Sequence, residues 1–343
     1  MNRRDLLKGA AALPLLGQTM VGKSEVRPKL IKPKRLSVGD AVGLIAPASG
    51  VTAETWDRAV KNIEDLGFKP VVGKYARGLN GFLSGTDRER LSDLHWAFSD
   101  PAIKAVWCVR GGGGAPRLLP DIDYSLIRNN PKIFIGFSDI TALHLAIQQK
   151  CGLVTFHGPV ASSQFPDYTK GHVMNVLTKP SSPYKIAVSD FNTTKESPFY
   201  RTEVINKGKA RGRLIGGNLS LLSALAGTKY ALGDLKGKLL FIEEVNEPPY
   251  RIDRMLTQLR QSIDLRAVAG IALGVFEDTS ASAGKTAQPV LDVIKDRLGD
   301  LGVPLIYGLS FGHIRDNITI PYGIEAELDA DSATLTYLES AVI

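Results

Sequence analysis

The feature that most restricts this chain is the alternation, through its N-terminal half, of short apolar runs with stretches of helical spacing. Ala41 to Ala46 reads as a buried strand ending in the loop Pro47-Ala48-Ser49-Gly50. Trp56, Val60, Ile63 and Leu66 then share one helical face beginning after Thr52, and a short strand follows at Lys69 to Val72. Thr86 is placed to cap a second helix with Leu91, Leu94 and Phe98 on one face, ahead of a strand at Ala105 to Val109. Ile133 to Ile135 is the next apolar run, Ile140, Leu143 and Ile147 take helical spacing after Asp139, and Leu153 to Phe156 follows. Parallel strands need a crossover and helices supply it. The pattern therefore predicts an α/β fold with a mostly parallel sheet covered on both faces.

From about Gln164 to Lys209 the pattern gives way to proline, serine, threonine and lysine, as expected of a connection between domains. A second segment starts near Gly212. It has a strand at Leu239 to Ile242, a helix with Ile252, Met255, Leu256, Leu259 and Ile263 on one face, and a strand at Ile271 to Phe276. A helix at Val290 to Leu298 and strands around Ile318 to Pro321 and Thr334 to Leu338 complete it. The length of 343 residues, 44% of them hydrophobic, accommodates two such domains. The division expected is 1–27, 36–165, 166–210 and 211–343 for a leader, an N-terminal domain, a connector and a C-terminal domain.

The leader has the layout of a twin-arginine export signal: Arg3-Arg4, then Asp5 to Lys8, then a small apolar run from Gly9 to Gly17. The alternative is an amphipathic N-terminal tail. The apolar run is short for a transmembrane span, and no clear cleavage site follows it. A net charge of +7 without a basic stripe interleaved with aromatics favours small anionic ligands and gives no nucleic-acid signature. Cys108 and Cys151 are the only cysteines, too few for a disulfide scaffold, and both read as buried thiols. No metal-ligand spacing occurs among cysteines and histidines.

Chemistry concentrates between Val109 and His144. Four glycines, Gly111 to Gly114, follow a strand directly, where a backbone free of side chains can approach a ligand closely. Neither a following Lys-Ser/Thr nor a G-x-G-x-x-G register is present, so a backbone donor site for an oxyanion fits better than a phosphate loop; a plain tight turn is the bland alternative. Ser138 stands at a strand-to-helix turn, where its hydroxyl can point off the sheet beside the N–H groups of the helix start. Ser-Asp there is also an ordinary helix cap, and only half of the G-x-S-x-G elbow pattern is present, with Ile140 in the place of the second glycine.

A serine nucleophile needs a base. Of the five histidines, His95 and His144 lie within helices and His172 in the polar connection, whereas His157 and His313 each follow an apolar run beside a glycine. The residues alone do not separate those two. The orienting acid is sought at Glu243, which ends the run Leu239 to Ile242 ahead of Glu244; a salt bridge to Arg251 or Arg254 is the structural alternative.

Taken together these stretches resemble the LD-carboxypeptidases, serine peptidases that trim murein tetrapeptide to tripeptide. The resemblance spans most of residues 36–325: GLIAPAS, AVWCVRGGGGAPRLLPDIDY, IGFSDITALH, FHGPV, RLIGGNLSLLSALAGT, FIEEVNEPPYRIDRML and the GH before PYG. It implies Ser138 as nucleophile, Glu243 as acid and His313 as base, with the N–H groups of Asp139 and Gly112 as the oxyanion hole. It implies an N-terminal Rossmann-like parallel-sheet domain and a smaller C-terminal α/β domain with the active site between them, a homodimer, and no metal or cofactor. The substrate implied is murein tetrapeptide or a related wall peptide, handled in the periplasm if the export signal operates. One position departs: where the family usually has tyrosine in RGGYG, this chain has Gly113. Two other readings follow from the same residues. One is a microcin C immunity amidase of the same family, acting on an acyl group joined to a nucleotide; the other is a noncatalytic binder of wall peptides.

Overall fold

The structure is a computed structural model and describes residues 28–279 and 289–343. The expected leader, residues 1–27, lies outside the described residues.

The N-terminal half forms β1 (Ala41–Ile45), β2 (Lys69–Val72), β3 (Ile103–Cys108), β4 (Ile133–Gly136) and β5 (Phe156–His157). They lie side by side in the order β5-β4-β3-β1-β2, and every adjacent pair is parallel. Crossover helices α1 (Ala53–Asp65), α2 (Asp87–Ser99), α3 (Tyr124–Asn129) and α4 (Thr141–Cys151) connect them. The starts of α1 and α2 are written locally. Thr52 accepts from the Thr55 N–H, and Thr86 and Glu89 make a reciprocal capping box. Trp56 and Ile63 of α1 and Leu94 and Phe98 of α2 are buried as their spacing predicts, whereas Val60 and Leu91 of the predicted faces are half-buried and Ala59 and Ala97 are buried in addition. The expected strand at Leu153 to Phe156 is displaced: only Phe156 and His157 pair with β4, while Leu153 forms a lone bridge with Ile31.

The second half builds an eight-stranded mixed sheet, containing β6 (Tyr184–Ala187), β7 (Glu203–Asn206), β8 (Lys209–Asn218), β9 (Lys238–Val245), β10 (Gly270–Glu277) and β11 (Leu305–Leu309). Next in the chain come β12 (Ile320–Pro321), which goes elsewhere, and the sheet's last two strands, β13 (Glu325–Asp329) and β14 (Thr334–Tyr337). The order is β6-β14-β13-β8-β9-β10-β11-β7, with β8 to β11 parallel and the flanking strands antiparallel. The stretch 166–210, read from sequence as a connection, carries α5 (Asp167–Thr178), the short helix α6 (Asp190–Thr194) and both edge strands of this sheet, β6 and β7. Edge strands meet solvent along one side and one face, and these two are only four residues long with charged or amide residues among them, so neither leaves an unbroken apolar run to read.

β12 leaves this half, crosses to the first sheet and pairs antiparallel with β5, Ile320 opposite His157. The lobes are joined in other ways too. The Asn218 N–H donates to Thr141 Oγ1 at 3.1 Å, and the Tyr322 N–H donates to the Thr155 carbonyl at 2.8 Å. Buried apolar side chains from both sheets form one continuous cluster.

In the first sheet the strand order reverses between β1 and β3, whose following loops therefore part and leave a crevice at their carboxyl ends. Ser49 and the four glycines sit in those two loops. Ser138 follows β4, Glu243 lies near the carboxyl end of β9, and His313 follows β11.

Candidate active site

β4 is buried along its whole length and delivers the chain to a sharp turn at Ser138. Ser138 has φ of 65°, in the left-handed region that costs a residue with a Cβ about 1–2 kcal/mol. Phe137, in extended conformation, occupies the cap position of the short 3₁₀ turn Ser138–Ile140, and no side chain caps it. The capping role that a Ser-Asp pair would ordinarily take is therefore not taken. The Ser138 side chain is partly exposed between buried Phe137 and Asp139.

Glycine is required where the first loop meets this turn. A Cβ built on Gly111 would lie 2.9 Å from the Ser138 Cβ and 3.1 Å from the Asp139 nitrogen. Gly112 and Gly114 have φ of 100° and 105°. Ser49 holds the loop from the neighbouring strand end: its N–H donates to the Gly111 carbonyl at 3.2 Å, and its Oγ accepts from the Gly113 N–H at 3.1 Å. The Asp139 carboxylate accepts the Ala115 N–H at 2.7 Å, tying the far end of the loop to the turn. Burial raises the Asp139 carboxyl above its usual range, against the Ala115 bond and the charge of Arg90.

Across the crevice, His313 Nδ1 and Glu243 Oε2 are 2.7 Å apart. Glu243 is 0% exposed and the His313 side chain 20%, so the acid is sealed while the imidazole is partly open to solvent. Gly312, with φ of 120°, permits this approach, since a Cβ there would come within 3.2 Å of Glu243 Oε2. Burial opposes the charge on Glu243, but the attraction and hydrogen bond of His313 outweigh it and hold the carboxyl below its usual range. Burial likewise opposes charging of His313, and Glu243 outweighs it in the other direction, raising the imidazole. The Phe137 ring packs on the His313 ring with centroids 4.7 Å apart, which sets the imidazole against the residue preceding Ser138.

Of the two histidines left open by the sequence, His313 is the one hydrogen-bonded to Glu243. His157 is fully buried, neither ring nitrogen has a partner among the described residues, and burial pushes it down to about 4. Glu244 makes no ion pair with Arg251 or Arg254. It accepts from Ser220 N–H and Oγ and from Asn218 Nδ2, while Arg251 pairs with Glu247 and Arg254 lies over the Tyr250 ring. His144, His95 and His172 bond to the Gly136 carbonyl, the Asp123 N–H and the Tyr184 hydroxyl. Both cysteines are buried and free. Among the described residues, no group of three His, Cys, Asp or Glu side chains could hold a metal ion.

Comparison with known proteins converges on one family. Residues 42–158 match the model of the LD-carboxypeptidase N-terminal domain and residues 211–328 that of the LD-carboxypeptidase C-terminal domain. The chain belongs to the LD-carboxypeptidase family. A probable murein peptide carboxypeptidase of Bacillus subtilis is 43% identical over 304 residues, covering 88% of this chain and 93% of the relative. The murein tetrapeptide carboxypeptidase of Pseudomonas aeruginosa is 35% identical over 298 residues, covering 84% and 93%. Among solved structures, an MccF-like protein of Bacillus anthracis superposes with a TM-score of 0.80 at 32% identity, covering 90% of this chain and 99% of that one.

Two contributors to the site leave little trace in the sequence. Ser49 orders the glycine loop, and its only signal is a position after the first strand. Phe82, 64% exposed, lies 3.6 Å from where a Gly113 Cβ would be. An aromatic ring thus stands beside Gly113, supplied by a segment with no apolar periodicity to announce it.

Proposed function

We propose that this protein is a serine LD-carboxypeptidase that releases the terminal D-alanine of murein tetrapeptide. The observation that carries the reading is the sealed Glu243–His313 pair, 2.7 Å apart, whose imidazole packs against Phe137, the residue before a serine held at a left-handed turn. Ser138 Oγ attacks the carbonyl carbon of the L-centre that precedes D-alanine while His313 takes the hydroxyl proton. Glu243 keeps the other imidazole nitrogen as donor and stabilises the imidazolium. The tetrahedral oxyanion is met by N–H groups of Asp139 and Gly112. His313 returns the proton to the departing D-alanine amine, and a water then cleaves the acyl-serine by the same relay. Proton transfer of this kind contributes about 10²–10⁴-fold, and each oxyanion donor about 10²–10³-fold.

The test is free D-alanine on incubation of the purified protein with tetrapeptide, with Ser138→Ala as control. An Ala variant turning over at the wild-type rate refutes the mechanism. The similarity to an MccF-like structure favours a second reading, microcin C immunity chemistry at the same serine; release of the acyl group from an acyl-sulfamoyl nucleotide, without D-alanine release, would establish it. The paired arginines ahead of Gly9–Gly17 support export and action on wall peptide in the periplasm, tested by the protein's appearance in the periplasmic fraction. The homodimer expected of the family is part of the same proposal, tested by light scattering.

A further inference from the structure

A carboxypeptidase must recognise a charge that an endopeptidase never meets. The carboxylate of the departing residue lies within about 4 Å of the scissile carbonyl carbon along the chain. In a cleft partly shielded from water, an uncompensated carboxylate there is costly, so a cation beside the oxyanion loop is required.

Arg110 meets the requirement. It lies two residues past β3, in the β1/β3 crevice, and is the residue before Gly111, whose backbone packs on Ser138. It is exposed, yet its side chain runs along the glycine loop: Nε lies 3.7 Å from where a Gly112 Cβ would be. No acid or carbonyl engages its guanidinium among the described residues. The other arginines near the loop are committed. Buried Arg90 is bound by the Pro47 and Gly114 carbonyls and Asp87, and Arg117 pairs with Asp87 at 2.9 Å. Arg58 donates to the Ser162 carbonyl at 2.9 Å, and Arg315, near His313, lies over the Phe191 ring beside Asp316.

We propose that Arg110 is the residue that receives the free carboxylate of the departing D-amino acid, making the enzyme an exopeptidase. This assignment rests on the carboxypeptidase reading, and substrate chemistry separates the two. kcat/KM is measured for wild type, Arg110→Ala and Arg110→Lys on tetrapeptide and on the same peptide ending in D-alaninamide, which lacks the charge. Loss of a charge-assisted, forked contact is worth about 10–100-fold. Wild type should lose that factor on the amide. Arg110→Ala should lose it on the acid and nothing further on the amide, and Arg110→Lys should fall between. Arg110→Ala at the wild-type rate on the acid overturns the assignment, as does an equal loss on acid and amide, which marks a structural role. A wild type that releases no D-alanine overturns the carboxypeptidase reading, and this assignment falls with it.

Discussion

Replacing Gly111 by alanine tests whether the turn at Ser138 is held in place by the glycine loop. The added methyl carbon would lie 2.9 Å from the Ser138 Cβ and 3.1 Å from the Asp139 nitrogen, both at the heart of the turn. Carbon atoms rest at about 3.5–4.0 Å, so one side must yield by roughly 0.6 Å or more. Backbone conformation is not the obstacle, because Gly111 is not among the glycines with positive φ. Overpacking of this kind costs about 1–3 kcal/mol of stability. A displacement of about 1 Å at a reacting group costs on the order of 10²-fold in rate, or about 2.7 kcal/mol of barrier. The matched control is Gly113→Ala, two residues on, whose methyl would meet only the Phe82 ring at 3.6 Å, an ordinary contact. D-alanine release should show kcat falling about 10²-fold for Gly111→Ala and staying within about twofold for Gly113→Ala. Equal kcat values for the two variants, or a wild-type kcat for Gly111→Ala, would refute the reasoning.

Other perturbations act on different parts of the site. Ser138→Gly removes a left-handed strain of about 1–2 kcal/mol against about 0.5–1 kcal/mol for glycine's freedom in the unfolded chain. It should be at least as stable as Ser138→Ala in urea unfolding, both being inactive, and a clearly less stable glycine variant contradicts the strained turn. His313 is raised above its usual 6.5, so the acid limb of kcat/KM should lie above that pH. Glu243→Gln removes the raising charge, leaves burial to lower the imidazole, and should move the limb down while kcat falls at least about 10²-fold; an unmoved limb is the contrary result. For stability, the raised His313 contributes fully below 6.5 and loses its share as pH rises past its folded value. The depressed Glu243 contributes fully above 4.5 and loses its share as pH falls past its own. The difference in melting temperature between wild type and Glu243→Gln should therefore be greatest between those two pH values, and a flat difference speaks against the pair. Thr141→Val leaves the buried Asn218 N–H without its acceptor and should cost about 1–3 kcal/mol; unchanged urea unfolding would mean that this bond does not join the lobes.

The strands of the first sheet were legible because they are covered on both sides, which turns AVGLI, IKAVWC and IFIG into nearly unbroken apolar runs. Helix starts at Thr52 and Thr86 were legible because capping is chemistry within a few residues. The edges of the second sheet were not. β6 and β7 are four residues each and bury only Ile186 between them, and β13 buries only Ala326 and Leu328 in strict alternation across five residues. Ser138 was ambiguous for a physical reason: a capping serine and an elbow serine share the same neighbours in sequence. What separates them is the distant contact of Gly111 with the turn. His157 and His313 likewise look alike locally, each after a strand-like run and beside a glycine. What tells them apart is the hydrogen bond of Glu243, which goes to His313 and leaves buried His157 without a partner among the described residues.

The excursion of β12 into the first sheet bears on how the molecule can move and be divided. Residues 320–321 cap the far edge of a sheet otherwise made before residue 158, so a cut near residue 210 would strip that edge and expose β5 for misplaced pairing. Two fragments of this enzyme should not reconstitute as independent modules. A wide clamshell swing between the halves would have to unzip that strand, so access to the crevice falls to the rim loops while the His313–Glu243 pair stays in place.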